Sequence, residues 1–132
     1  MNNRIYKFRA WDNYNKLFRY CELEKGKIVV LGIQELNEKN LDQWQQFTGL
    51  KDKNGKNIYE GDIVKAQTQK DEDENVYRFL KVVWNNEFMR YEFENAAEDK
   101  WFLYNDCGYG DDDELATPEI IGNIYESPEL LK

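Results

Sequence analysis

In "FMRYEFE", Met89, Tyr91 and Phe93 alternate with Arg90, Glu92 and Glu94. A period of two puts successive side chains on opposite faces, so this is the pattern of a half-buried antiparallel strand. The same pattern recurs along the chain. Tyr6, Phe8 and Ala10 alternate with charged or mixed neighbours between Arg4 and Trp11, and Asp12-Asn13 then marks a turn before "KLFRYCEL". "KGKIVVLGI" reads as a third strand, opened by Lys25-Gly26. "VYRFLKVVW" places Leu80, Val82 and Trp84 on one face and Phe79 and Val83 on the other, before Asn85-Asn86 turns the chain. "KWFLYN" and "EIIGNIYE" complete the series. Short strands at regular spacing with turn signals between them predict a mainly β chain. The five after residue 58 (63–68, 77–84, 88–94, 101–104 and 120–125) suit an SH3-like small β-barrel.

The connections are polar. "QKDEDEN" holds five charged residues in seven and no apolar one, which predicts a solvated loop. In residues 34–45, Leu41 and Trp44 lie three apart after Asn40, a candidate cap, so a single helical turn fits there. The densest turn chemistry lies in "QFTGLKDKNGKNIYEGDIVK", Gln46 to Lys65. Asn54-Gly55 sits between runs that can pair, and two central residues at positive φ would make a tight hairpin there. Glu60-Gly61-Asp62 is a second turn, feeding into Ile63-Val64. Asp52 and Asp62 could present carboxylates to a ligand, but Asx residues in turns commonly bond their own backbone. The stretch therefore reads first as shape.

Residue types narrow the chemistry. The chain has no His, which excludes Ser-His and Cys-His nucleophile pairs and His-dependent metal centres. Two Cys, Cys21 and Cys107, fall short of a zinc site, and in a reducing compartment they are expected as free thiols. The three adjacent aspartates of "GDDDE", Gly110 to Glu114, lack the alternate spacing of a calcium loop. Neither a metal nor another cofactor is expected. The longest apolar run, Ile28 to Ile33, is far shorter than the ~20 residues that span a bilayer. The N-terminus carries no apolar stretch behind its positive charges, so the expected location is cytoplasmic.

Three blocks carry a likeness. "FRAWD", "QFTGLKDKNGKNIYEGDIVK" and "IGNIYESPELL" resemble, in order and spacing, the YopX family of phage and prophage proteins, with 22–45, 67–76 and 95–117 as the variable parts. The resemblance implies an SH3-like barrel over 46–132, with the N-terminal strands and connection of 1–45 packed beside it in one compact unit. It also implies a phage-encoded protein working in a bacterial cytoplasm, and it supplies no catalytic residue or cofactor.

What remains is interaction. Residues 1–20 carry Arg4, Lys7, Arg9, Lys16 and Arg19 against Asp12, whereas 86–114 carry ten acids against Arg90 and Lys100. The whole chain has a net charge of −8, which disfavours phosphate backbones except along the basic N-terminal strand. Protein partners fit better, either a host or phage protein or a second copy of the chain in a homo-oligomer. The residues expected to serve such contacts are Arg4, Tyr6, Phe8, Arg9 and Trp11 on the first strand, and Tyr91, Trp101 and Tyr104 opposite. Asp52 and Asp62 are the turn candidates, and Tyr109 joins Tyr91 and Tyr104 among rings expected to be exposed. In the oligomer, 4–11 of one chain would lie near 88–104 of another; the alternative is that the same two segments pair within one chain.

Overall fold

The computed structural model describes residues 6–24, 27–31, 37–66, 77–104, 107–109, 114–115 and 118–131. Those residues build antiparallel sheets and no α-helix. The chain divides into two compact units, Met1–Phe47 and Thr48–Lys132.

In the first unit, β1 (Tyr6–Asp12) pairs along its length with β2 (Leu17–Glu24), which pairs with β3 (Lys27–Leu31). On its other side β1 meets the start of β4 (Gln45–Lys51), with Phe8 opposite Gln46 and Arg9 opposite Gln45. The expected helical turn exists three residues early, as a 3-10 turn at Glu38–Asn40. Its cap is Asn37, whose Oδ1 accepts the Lys39 N–H at 3.1 Å, and Leu41 returns to extended backbone. Asn40 therefore ends the turn instead of starting it.

Beyond Phe47, β4 runs on into the second unit, where its neighbour is β5 (Asn57–Tyr59). The main sheet there has the order β11-β10-β9-β8-β7-β6-β12. Its strands are β6 (Asp62–Ala66), β7 (Arg78–Asn85), β8 (Arg90–Glu94), β9 (Lys100–Tyr104), β10 (Cys107–Tyr109), β11 (Glu114–Leu115) and β12 (Glu119–Asn123). All five strands expected of a barrel are present and pair in one series. No closed barrel forms among the described residues, because β9 continues into the β10 and β11 pairings and β12 lies at the opposite edge.

Alternation predicts the core of this unit well. Leu80 and Val82 from β7, Phe93 from β8, Trp101 from β9, Val64 and Ala66 from β6 and Ile58 from β5 form one buried cluster. Half-buried Leu50, Tyr91 and Ile120 pack against it. The alternation fails at Glu92, which is buried as deeply as its apolar neighbours. It survives there because it is bonded: Asn85 Nδ2 and Arg90 Nε donate to its two oxygens at 2.8 and 3.0 Å, with Lys100 Nζ at 3.9 Å. A buried carboxylate needs such partners.

Among the described residues, five connections use the same device, an Asx side chain accepting two N–H groups from residues two to four ahead. Asp12, Asp52, Asn85, Asn95 and Asn123 each do so. Gly61 has φ +80°, as the turn signal predicts; its N–H donates to Val82 O and its carbonyl accepts from Ile124 N. The Asn54-Gly55 turn differs from expectation, since only Gly55 is at positive φ (+82°). The Asp52 carboxylate holds the loop in a wider turn than a two-residue hairpin.

Candidate interaction surface

Five of the residues expected to meet a partner, Arg9, Trp11, Trp101, Asp52 and Asp62, are buried. β1 is not an edge, being flanked by β2 and β4. Arg9 is buried, its Nε donating to Gln45 Oε1 at 2.8 Å and its guanidinium 4.1 Å from the Phe18 ring centre. Trp11 is buried edge-on against Phe18 at 5.0 Å, while Tyr6 and Phe8 are half-buried. Trp101 lies in the core of the second unit, and Tyr91 is half-buried instead of exposed. Arg4 and the side chains of Tyr104, Tyr109 and Cys107 lie outside the described residues, as do Asp111–Asp113. The Cys21 thiol is free, and burial raises its pKa.

The basic character of residues 1–20 is further offset by a buried ion pair between β2 and β1 that sequence reasoning missed. Arg19 Nε donates to Asp12 Oδ2 at 3.0 Å, and both side chains are almost fully enclosed. Bonds from the Asn15 side chain and backbone, then Arg19 and the Tyr14 N–H, outweigh desolvation and hold Asp12 at about 2. The folded state thus binds its proton less readily than the unfolded chain, whose value is near 3.8. The stabilisation is present above pH 3.8 and is lost as pH falls toward 2. Urea midpoints across that range should fall for the native protein and fall less for Asp12→Asn.

Asp52 and Asp62 turn their carboxylates inward. Asp52 Oδ1 accepts from Asn54 and Lys56 N–H and its Oδ2 from Ile120 N–H; Asp62 Oδ2 accepts from Tyr59 N–H at 2.8 Å. Burial alone would raise the Asp52 pKa. The three N–H donors, with the charge of Lys56, bring it below the usual value. Both carboxylates are buried and bonded to the backbone, so they build shape.

The surface that is presented lies at the β7–β8 hairpin. Trp84 faces Tyr91 and Asn85 faces Arg90 in register, leaving Asn86 to Met89 as the loop. Asn85 Oδ1 accepts from the N–H of Glu87 and Phe88, and Trp84 Nε1 donates to Asn86 Oδ1 at 2.7 Å. The Trp84 and Tyr91 rings meet edge-on at 4.9 Å, and the Arg90 guanidinium lies 4.8 Å from the Phe88 ring centre. On this braced loop Phe88 is 58% exposed and Met89 70%, and Trp84 at the adjoining end of β7 is 38% exposed. Met89 also has φ +53°, a left-handed backbone that disfavours a side chain with a Cβ. Sequence reading placed Phe88 and Met89 inside the strand. The available signal was the Asn85-Asn86 pair, which starts a four-residue loop and carries both residues out of the sheet.

Among the described residues no three carboxylate or Cys side chains cluster as a metal site, and no helix is long and apolar enough to cross a membrane. The family model described as YopX protein matches residues 7–132. The chain belongs to the YopX family. Among solved structures it is similar to protein EF1440 from Enterococcus faecalis, with 26% identity and a TM-score of 0.57. That likeness covers 96% of the YopX chain and 98% of the other. No curated protein matches the YopX chain.

Proposed function

We propose that this YopX protein is a non-enzymatic protein-binding module, encoded by a phage or prophage and acting in the bacterial cytoplasm, with the β7–β8 loop as its anchor. The observation carrying this reading is the co-occurrence of exposed Phe88 and Met89, on a loop fixed by Asn85 and Asn86, with exposed Trp84 at the adjoining end of β7. Aromatic side chains, Met and Arg are the types enriched at interface cores, and a preformed loop reduces the ordering cost of binding. An SH3-like ancestry for the second unit is supported by the serial pairing β9-β8-β7-β6-β12, the order of a five-stranded SH3-like barrel opened at one seam. Binding of nucleic acid through the N-terminal strand is less well supported, since Arg9 on that strand is buried.

Met89→Gly separates binding from folding. Glycine accepts the left-handed backbone, so stability should stay level or rise by up to about 1 kcal/mol. Partner binding should weaken because the most exposed side chain of the loop is gone. Proteins co-purifying with the tagged chain from a bacterial host would be quantified by mass spectrometry, with light scattering reporting self-association. The partner, or the oligomer, should persist with Tyr14→Ser, a control at an exposed ring in another turn, and drop at least several-fold with Met89→Gly. An unchanged partner set and unchanged mass for Met89→Gly would overturn the proposal.

A further inference from the structure

A pocket of about 400 Å³ in the first unit is lined by Glu38, Leu41, Asp42 and Trp44. Its frame is tied down. Asn13 N–H donates to Asn40 O at 2.8 Å, Asp42 N–H to Trp11 O at 2.9 Å, and Leu41 bridges to Asp12. Leu41 N–H closes the 3-10 turn onto Glu38 O at 3.2 Å. The walls are therefore anchored to the end of β1.

The lining selects its ligand. Trp44 is 39% exposed and, among the described residues, stacks on no other ring and lies under no cation. Neither Glu38 nor Asp42 has an ion pair among the described residues, and Lys39 on the same turn pairs with neither. An anion would be repelled by two carboxylates. A neutral apolar ligand would strip them of water with nothing in return. A divalent metal usually draws more ligands than two carboxylates and a leucine provide. An alkyl stem ending in an organic cation satisfies every wall: methylene groups on Leu41, charge between the carboxylates, and a cation on the Trp44 face, the strongest aromatic partner for one.

We propose that this pocket receives a lysine or arginine side chain of a protein partner. The source of the cation rests on the protein-binding reading above, whereas the pocket's chemistry does not. The site is a second contact, on the first unit, whereas the β7–β8 loop belongs to the second. Its ligand complements the acidic balance of the chain.

The test uses n-butylammonium and n-butylguanidinium as probes, with n-pentanol as the neutral counterpart, on the full chain at low salt. The readout is the indole N–H resonance of Trp44 in two-dimensional NMR, assigned with Trp44→Phe. Both cations should give a saturable shift with Kd of roughly 10–100 mM, the range for one exposed cation–π contact plus surface charge pairing. Glu38→Gln and Asp42→Asn should each weaken it about three-fold or more, and pentanol should bind several-fold more weakly. Met89→Gly should leave it unchanged. No saturable shift at about 200 mM, equal binding of pentanol, or indifference to both carboxylate substitutions would each overturn the pocket proposal. Those outcomes leave the loop untouched. Conversely, probe binding with no partner lost on Met89→Gly would retain the pocket and sink the loop.

Discussion

Asp52→Ala is expected to lower the unfolding free energy by roughly 3 kcal/mol, a large part of a domain's usual margin. The carboxylate accepts three backbone N–H groups, from Asn54, Lys56 and Ile120, at 2.9, 2.9 and 3.0 Å. The first two close the β4–β5 loop, whose exposed donors water can serve after substitution. The third reaches 68 positions along the chain to β12, the edge strand that pairs with β6. A hydrogen bond to a charged group is worth about 1.5–3 kcal/mol net, so the total falls below the sum of three because the loop donors rehydrate. Asp52→Asn keeps the shape but puts an amide donor where one acceptor stood, and should fall between alanine and the native protein. Urea unfolding measures both, and hydrogen exchange at the Ile120 amide reports the tie directly. A change under about 0.5 kcal/mol for Asp52→Ala would mean that the link to β12 is incidental. Because the folded Asp52 pKa is depressed, this stabilisation should be present above the ordinary carboxylate range and be lost as pH falls below it.

Asp52 also shows what sequence can resolve. Its role as a turn acceptor follows from residue type and from the glycine three positions on, so local sequence alone carries the reading as shape. It does not carry the contact with Ile120, since nothing local marks a partner 68 residues away. Strands are legible wherever one face is dry and the other wet, as at Phe93 against Glu94. That rule fails at Glu92, where bonds from Asn85 and Arg90 allow a carboxylate to be buried. It also fails along β1. Arg9 reads as solvated charge, yet its guanidinium lies on the Phe18 ring while its Nε bonds Gln45, and alternation carries no information about such neighbours. Whether a strand is central or at an edge depends on long-range pairing, which is why β1 reads as an edge in sequence and lies between β2 and β4 in the sheet. The β7–β8 loop is hidden for another reason. Left-handed backbone normally announces itself through Gly or Asn, and here it falls on Met89. The Glu38–Trp44 pocket is half visible: Leu41 and Trp44 stand out by spacing, while the carboxylates beside them look like ordinary surface charge.

Phe93→Ala should cost roughly 3–5 kcal/mol, the range for removing a fully buried ring from a core that cannot collapse around the gap. Phe93 has no exposed surface, and in register it lies between Val82 on β7 and Trp101 on β9. Those neighbours sit on opposite sides of β8, each held by its own strand pairings, so neither is free to move into the space. Tyr91, two residues earlier on the same face, provides the comparison. It is half-buried and meets Trp84 edge-on near the end of the sheet, where loop and solvent can adjust, so Tyr91→Ala should cost about half as much or less. The order of the two losses tests the register itself. A slip of one residue would exchange the faces of Glu92 and Phe93 and take the ring out of the apolar cluster, and Phe93→Ala would then cost much less. Equilibrium urea unfolding of the two variants, with the slope checked against the native protein, decides between these outcomes. A Phe93→Ala loss no larger than that of Tyr91→Ala would refute the observed pairing of β8.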